Sequence, residues 1–132
     1  MLHKTVRTFV LFTFVITLAA TAIGADPSYK DAYAEAKKRD VPLVVLVGAG
    51  FCPYCRSTKA TLKQMAKDGE LDDVAVGLVD IDKEPRLAKQ LRTSDTIPEL
   101  IVFRFNAKTQ KWTRRQAIGG QSAAEIRDII AK

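Results

Sequence analysis

The sequence predicts one α/β domain in which helices flank a central mixed sheet of four strands. Two almost wholly apolar runs are separated by a helical pattern, which is typical of strands buried on both faces of a sheet. Because a helix connects them, these strands should be parallel with a right-handed crossover. Two later strands are joined by a short polar turn and should form an antiparallel hairpin. The 132 residues, 47% of them hydrophobic, suffice for one core of this kind.

The first 25 residues are expected to be a secretory signal peptide. A basic front with Lys4 and Arg7 precedes an apolar stretch over residues 9–20, and small residues follow. Cleavage fits after Ala22, Gly24 or Ala25. The stretch is shorter than the roughly 20 residues that span a bilayer, so an uncleaved anchor is the weaker alternative. We therefore expect an exported protein, periplasmic or secreted, whose domain covers residues 26–132.

The charge balance is modestly basic and does not indicate nucleic-acid binding. Removal of Lys4 and Arg7 lowers the net charge from +6 to +4. The densest positive charge falls on the predicted hairpin, at Arg104, Lys108, Lys111, Arg114 and Arg115. Such residues either bind an anionic partner or membrane headgroups or, as we expect for surface strands, are simply solvated. No aromatic platform or glycine-rich phosphate loop accompanies them.

Local signals place the elements of the first half. Asp26 or Ser28 is expected to cap a first helix with Pro27 in its first turn. That helix should pack through an apolar stripe of Tyr29, Ala32, Tyr33 and Ala36. A strand over 41–47 follows, and a second helix over 53–68 should end at Gly69. The buried face of the second helix is predicted to contain Leu62, Met65 and Ala66.

The second half continues the alternation of strands and helices. A strand is predicted over 74–81, and a third helix should begin within 82–85. The hairpin strands are expected over 100–105 and 112–118. Ser122 and Glu125 then form a capping-box pattern for a last helix that carries Ile126, Ile129 and Ile130.

The only two cysteines, Cys52 and Cys55, lie between the first strand and the second helix. At this spacing the thiols can form a small disulfide, and the helix amides and dipole favour a thiolate at the first of them. The alternatives are half of a zinc site or a purely structural pair. Zinc needs about four ligands, and the only histidine, His3, lies in the predicted signal peptide, so redox chemistry is favoured.

The element order, together with three motifs, resembles the thioredoxin fold. The motifs are Cys52-Pro53-Tyr54-Cys55, Thr96-Ile97-Pro98 and Gly119 before the last helix. The resemblance covers the whole predicted domain and implies a sheet with strands in the order second, first, third, fourth. The usual first thioredoxin strand is not evident, since a helix over residues 29–39 takes its place.

The resemblance also implies a site. Cys52 would be the exposed attacking thiolate and Cys55 the thiol that resolves the mixed disulfide. Pro98 would be cis against the disulfide, leaving the backbone of Ile97 free to pair with an extended substrate. The predicted substrate-binding residues are Phe51, Pro53, Tyr54, Ile97, Pro98 and Gly119. No metal and no separate cofactor is expected, because the disulfide is the redox group.

One departure from thioredoxins concerns proton transfer. They usually carry a buried Asp six residues before the first cysteine and a Lys on the next strand, where this chain has Leu46 and Leu78. With no general base at these positions, we expect the proton of Cys55 to leave through water.

The motifs and the resemblance support several hypotheses about the function. The main one is a monomeric thiol–disulfide oxidoreductase acting on protein thiols and disulfides, as a reductant supplied by a membrane electron donor; Ile97 before the proline resembles reducing thioredoxins. The Cys-Pro-Tyr-Cys motif and Gly119 to Ser122 are similar to glutaredoxins, whose double glycine admits glutathione. The remaining alternatives are a non-enzymatic adaptor with a fixed disulfide and a copper-binding module.

Overall fold

The computed structural model describes residues 25–132, in which helices alternate with single strands and one hairpin. The elements in chain order are α1 (Tyr29–Arg39), β1 (Leu43–Gly48), α2 (Pro53–Lys67), β2 (Ala75–Asp80), α3 (Pro85–Leu91), β3 (Glu99–Asn106), β4 (Lys111–Ile118) and α4 (Ala123–Ala131). The predicted α/β class and element order are confirmed, with boundaries shifted by a few residues. The predicted signal peptide lies outside the described residues except for Ala25.

The four strands form one mixed sheet in the order β2-β1-β3-β4. Strand β1 is parallel to β2 and antiparallel to β3, and β3 and β4 form the antiparallel hairpin. Both the crossover between parallel strands and the hairpin agree with the sequence. The central position of β1 brings its carboxyl end, and the cysteines that follow it, next to the start of β3.

The sheet separates two apolar cores because side chains alternate along each strand. All six residues of β1 are buried, as predicted for a strand covered on both faces. Leu43, Val45 and Val47 pack with α1 and α3 on one face. Val44 and Leu46 pack with α2 and α4 on the other, where Ile126 is fully buried.

The start of α1 differs from the prediction. The Ser28 side chain accepts a hydrogen bond from the Asp31 N–H at 3.1 Å, so Ser28 is the N-cap and Pro27 precedes the helix instead of lying in its first turn. The carbonyl of Pro27 accepts from the Leu78 N–H at 2.8 Å, and Ser28 forms a single parallel bridge with Leu78. Residues 27 and 28 thus extend the sheet briefly at the outer edge of β2.

The buried face of α2 also needs one correction. Leu62 and Met65 are buried as predicted, but Ala66 is exposed. The other buried positions are Cys55 and Thr58, so the inward stripe follows i, i+3, i+7 and i+10, and Ala66 lies beyond its edge. The helix ends before Gly69, whose φ of +77° suits glycine. Among the described helices, none has the length and apolar character needed to cross a membrane.

Candidate active site

The two cysteines lie at the amino end of α2, immediately beyond the central strand β1. Cys52 has an extended backbone and is the N-cap of α2, with Pro53 as the first helical residue. The Cys52 N–H donates to the carbonyl of Ala49 at 3.3 Å, which stabilises the turn between strand and helix. Cys55, one helical turn further on, forms a disulfide with Cys52, and their Cα atoms are 5.2 Å apart.

The sulfur of Cys52 occupies the position of a helix-capping oxygen. The Cys55 N–H donates to Cys52 Sγ at 3.2 Å. After reduction, the same amide and the positive end of the helix dipole would face a thiolate at Cys52 and stabilise its charge. The first turn of α2 contains no acidic residue that would oppose this effect.

Both cysteines are more enclosed than the sequence indicated. Cys52 was expected to be exposed, but only 8% of it is accessible, against 5% for Cys55. The physical reason is an apolar cluster in which Ala49, Ile81 and Ile97 pack around the disulfide. Exposure is concentrated in the flanking aromatic residues instead, since Phe51 and Tyr54 are each 69% accessible.

The segment before β3 faces the disulfide from the neighbouring strand. The Ile97–Pro98 peptide bond is cis, and the Ile97 carbonyl oxygen lies 4.0 Å from Cys52 Sγ. The Pro98 carbonyl in turn accepts from the Gly119 N–H at 2.8 Å, where Gly119 has a φ of +92°. The structure therefore brings Cys52, Ile97, Pro98 and Gly119 together.

Tyr54 lies beside the second glycine of the pair that follows β4. A Cβ atom added to Gly120 would be 3.2 Å from the Tyr54 ring, so the ring packs directly against the glycine backbone. Ile118, two residues earlier, is 48% exposed and stands opposite Glu99 in the strand pairing.

Thr58 is a further residue that the sequence did not single out. It is fully buried on α2, and its hydroxyl accepts from the Gln121 N–H at 3.0 Å, which ties the start of α4 to α2. Its spacing of three residues from Cys55, on the same face as Leu62, was the available signal. A buried threonine at such a position needs a partner, and the partner lies 63 residues away.

A cavity of about 490 Å³ opens beside Cys55. Its apolar wall includes Leu46 and Leu78, the two residues that stand where thioredoxins carry the Asp and Lys. Its rim is charged and includes Asp26, Lys59, Asp80, Lys83 and Glu84. Asp80 is the last residue of β2, and its carboxylate accepts from the N–H groups of Asp82 and Lys83. The cavity thus connects the region around the deeper cysteine with solvent.

The carboxylate at the edge of this cavity is held by two lysines of α2. Asp26 accepts a hydrogen bond from Lys59 and forms an ion pair with Lys63 at 3.1 Å. The hydrogen bond from Lys59 is the main cause of a lowered pKa of Asp26, and Lys63 contributes further, while partial burial opposes both. Asp26 is therefore a weak proton acceptor.

The predicted concentration of positive charge is not a single patch. Arg114 and Arg115 are adjacent on β4 and point to opposite faces of the sheet. Arg114 pairs in register with Phe103 and forms an ion pair with Glu99, whereas Arg115 pairs in register with Val102. This division favours the interpretation of the cations as separate solvated or paired residues. Within residues 25–132, no group of three or more His, Cys, Asp or Glu side chains could hold a metal ion.

Comparison with known proteins agrees with this arrangement. The thioredoxin family profile matches residues 25–132. The fold is similar to that of chloroplastic thioredoxin z, with 25% identity, a TM-score of 0.63, and coverage of 83% of this chain and 95% of that chain. A thioredoxin from Thermus thermophilus gives 21% identity, a TM-score of 0.64 and coverage of 80% and 82%. Trxlp from Edwardsiella tarda is 24% identical, with a TM-score of 0.61 and coverage of 81% of this chain and 98% of that chain.

No curated protein matches the chain. The family match nevertheless spans all of the described residues, and the redox-active motif of the family is present as Cys52 and Cys55 at the head of α2. The chain therefore belongs to the thioredoxin family of thiol–disulfide oxidoreductases.

Proposed function

We propose that the protein is an exported, monomeric reductant of protein disulfides, in which Cys52 attacks the substrate and Cys55 releases it. The observation that carries the proposal is the position of Cys52 Sγ. It accepts the Cys55 N–H at the start of α2 and lies 4.0 Å from the carbonyl of Ile97, beside the cis proline. One sulfur is thus both stabilised as a thiolate and placed beside backbone that can bind an extended chain.

The exchange proceeds in two steps. The Cys52 thiolate attacks one sulfur of the substrate disulfide, forming the mixed disulfide and expelling the other substrate sulfur as a thiolate. Cys55 then loses its proton and attacks Cys52 Sγ. The Cys52–Cys55 disulfide forms, the second substrate thiolate leaves, and two electrons have passed to the substrate. The cavity beside Cys55 supports a route to water for this proton, since no titratable side chain stands at Leu46 or Leu78.

Substrate binding is proposed to use the exposed residues around the disulfide. Phe51 and Tyr54 offer accessible aromatic rings on either side of Cys52, and Pro53 between them removes one N–H from the helix start. Ile97, Pro98 and Gly119 form the facing backbone. Protein substrates are favoured over small ones, because an apolar rim of this kind gains most from burying apolar side chains.

Export and the direction of electron flow rest on the sequence. The basic front and apolar stretch of residues 1–25 support a signal peptide, and an oxidising compartment would then require a membrane electron donor. The residue before the cis proline, Ile97, supports reduction. A measured reduction potential near about −270 mV would agree with a reductase, and one near about −120 mV would overturn that part of the proposal.

The site assignment is tested with insulin as the disulfide substrate and dithiothreitol as the electron source. Cys52→Ser should abolish catalysed reduction. Cys55→Ser that has been reduced and freed of dithiothreitol before it is mixed with insulin should accumulate a mixed disulfide that a non-reducing gel resolves. If Cys52→Ser reduces insulin as fast as the wild type, the assignment fails. A fixed disulfide that resists exchange with small thiols, with a potential below about −300 mV, would instead favour the adaptor alternative.

The glutathione-dependent alternative is disfavoured by the start of α4. The residues that could receive the γ-glutamyl carboxylate are Gly119, Gly120, Gln121 and Ser122. Three of their amides already donate: that of Gly119 to Pro98, that of Gln121 to Thr58 and that of Ser122 to Glu125. The Glu125 carboxylate also occupies this helix end, where hydrogen bonds from Ser122 lower its pKa and keep it charged. A second carboxylate would be repelled there.

A further inference from the structure

A completely buried carboxylate lies directly after the cis proline. Glu99 is the first residue of β3, and its side chain has no solvent exposure. It stands between β1 and β4, paired in register with Val47 on one side and Ile118 on the other. Burial of an ionised carboxylate is strongly unfavourable unless partners replace its hydration, and an apolar residue of similar volume is often no less stable. A requirement other than stability would explain a glutamate at this position.

The partners of Glu99 come from two separate segments. Thr93 donates twice: its N–H lies 3.1 and 3.2 Å from the two carboxylate oxygens, and its hydroxyl lies 2.8 Å from Oε1. From β4, the Arg114 guanidinium donates to Oε1 at 3.0 Å. Arg114 is itself held by Gln116 at 3.1 Å and lies over the Phe103 ring. The carboxylate is thus fixed in position as well as neutralised.

These hydrogen bonds close the segment that faces the redox centre. Thr93 begins the loop that leads to Ile97 and Pro98, and Glu99 ends it, so both ends of the loop meet at one carboxylate. At the other side, the Gly119 N–H holds the Pro98 carbonyl. The backbone between these anchors carries the Ile97 carbonyl that lies 4.0 Å from Cys52 Sγ. The position of Ile97 relative to the sulfur therefore depends on the contacts of Glu99.

We propose that Glu99 is a positioning residue for substrate binding: through Thr93 and Arg114 it holds the Ile97 backbone in register with Cys52. This inference rests on the proposed function, because it concerns how a protein substrate docks beside the disulfide. Glu99 takes part in no chemical step, since its hydrogen-bond partners are Thr93 and Arg114 and neither sulfur. Small disulfides need only reach Cys52, whereas extended substrates must also align with Ile97. The contribution of Glu99 should therefore depend on the size of the substrate.

Glu99→Gln is the first test, since it preserves volume but removes the charge that pairs with Arg114. With dithiothreitol as reductant, we expect kcat/KM for insulin to fall about tenfold, mainly through KM, because misplacement of a docking group by a fraction of an ångström weakens binding and alignment. For the small disulfide 5,5′-dithiobis(2-nitrobenzoic acid), which dithiothreitol would reduce directly, the enzyme is first reduced and freed of dithiothreitol. Its rate of reaction with this disulfide should change less than about twofold. Equal losses with both substrates, or no loss with either, would overturn the proposal.

Thr93→Val keeps the test decisive if Glu99→Gln does not fold. It removes one hydroxyl donor but keeps the backbone N–H, and it should show the same selective loss on insulin, with Thr93→Ser restoring it. Thr113→Val is the matched control, because the Thr113 hydroxyl bonds only to the carbonyl of Arg104 on the hairpin. If Thr93→Val behaves as Thr113→Val does, the proposal fails. If the wild type itself reduces neither disulfide, the proposed function fails instead.

Discussion

Leu46 on β1 is the register partner of Leu78 on β2, and both side chains line the cavity beside Cys55. In thioredoxins a carboxylate and an ammonium group usually stand at these two positions. Here an apolar wall replaces them, while the charged groups are confined to the rim. Neither leucine can accept the proton of the deeper thiol, which supports the proposed route through water.

The first prediction concerns the pH dependence of mixed-disulfide resolution. In the wild type, the rate of this step should rise with pH only as the Cys55 thiol ionises, without a carboxylate inflection. Leu46→Asp should introduce such an inflection, because a buried carboxyl near Cys55 can accept the proton. The substitution should also destabilise the protein by about 3 kcal/mol through lost burial and an uncompensated polar group. The rate is measured by stopped flow, as release of the substrate thiol after the reduced protein is mixed with a disulfide substrate.

Leu46→Asn provides the control for this experiment. It places a polar side chain of the same size in the cavity but cannot titrate, so its profile should have the shape of the wild-type profile. A carboxylate inflection already present in the wild type would contradict the water route. Asp26→Asn would then identify whether the rim carboxylate held by Lys59 is its source.

The second prediction separates substrate binding from stability at the exposed aromatic residues. Phe51→Ala and Tyr54→Ala should each raise KM for insulin about threefold to tenfold, because each removes an accessible ring beside Cys52. The free energy of unfolding should change by less than about 1 kcal/mol, since neither ring is in the core. Initial-rate kinetics and urea unfolding measure the two quantities.

Tyr33 is the matched aromatic residue away from the disulfide. It stacks on Tyr29 and contacts Trp112, with ring centroids 6.1 and 5.8 Å apart. Tyr33→Ala should therefore lower stability by about 1 kcal/mol and leave KM for insulin unchanged. If Tyr33→Ala raised KM as much as Tyr54→Ala did, the apolar rim around Cys52 would not be the binding surface.

The third prediction concerns the close packing of α1 on β2. A Cβ atom at Gly77 would lie 3.0 Å from the Tyr29 Cα and 3.1 Å from the Ala32 Cβ, so the helix would have to move. Gly77→Ala should destabilise the protein by about 1–3 kcal/mol. Gly50→Ala is the control, since its Cβ would meet nothing within 4 Å, and it should change stability by less than about 0.5 kcal/mol. Urea midpoints that shift equally in both variants would contradict this packing argument.

The elements and their order could be predicted from the sequence because their strongest signals are local, whereas the strand order β2-β1-β3-β4 followed only from the resemblance to thioredoxins. The apolar run of β1, the Ser122–Glu125 capping box and the short hairpin turn each need only neighbouring residues, and all three are present. The errors were local as well. Ala66 was placed on the wrong side of α2 because the rotation of that helix was misjudged, and Pro27 was placed inside α1 because that helix begins later than expected.

The site was predicted less completely because much of it depends on contacts between distant residues. The enclosure of Cys52 comes from Ile81 and Ile97, which lie 29 and 45 residues further along the chain. In the sequence, Glu99 is an ordinary charged residue before a predicted strand. Only the structure shows that it is buried and that Arg114, 15 positions later, donates a hydrogen bond to it. Periodicity identifies a buried face but does not identify the polar partner on another element.

The last prediction concerns acid stability and the attachment of the N-terminal segment to α2. The hydrogen bond from Lys59, and to a smaller extent Lys63, lowers the folded-state pKa of Asp26 below the ordinary aspartate value of 3.8. Because this pKa is lowered, the charged carboxylate stabilises the folded state at any pH above the pKa that Asp26 has in the unfolded chain. The stabilisation is lost as the pH falls through the lower pKa of the folded state. The contribution should be below about 1 kcal/mol, because the pair is largely exposed to solvent.

Urea unfolding of the wild type and of Asp26→Asn should therefore differ at neutral pH and converge at strongly acidic pH, where both carry a neutral side chain. High salt should reduce the difference at neutral pH, because it screens exposed pairs. Lys59→Met should produce a similar loss, and the double variant should lose less than the sum of the two, since one interaction is removed twice. A difference between wild type and Asp26→Asn that persisted unchanged into strong acid would mean that the charge of Asp26 is not what holds residues 26–28 beside the cavity.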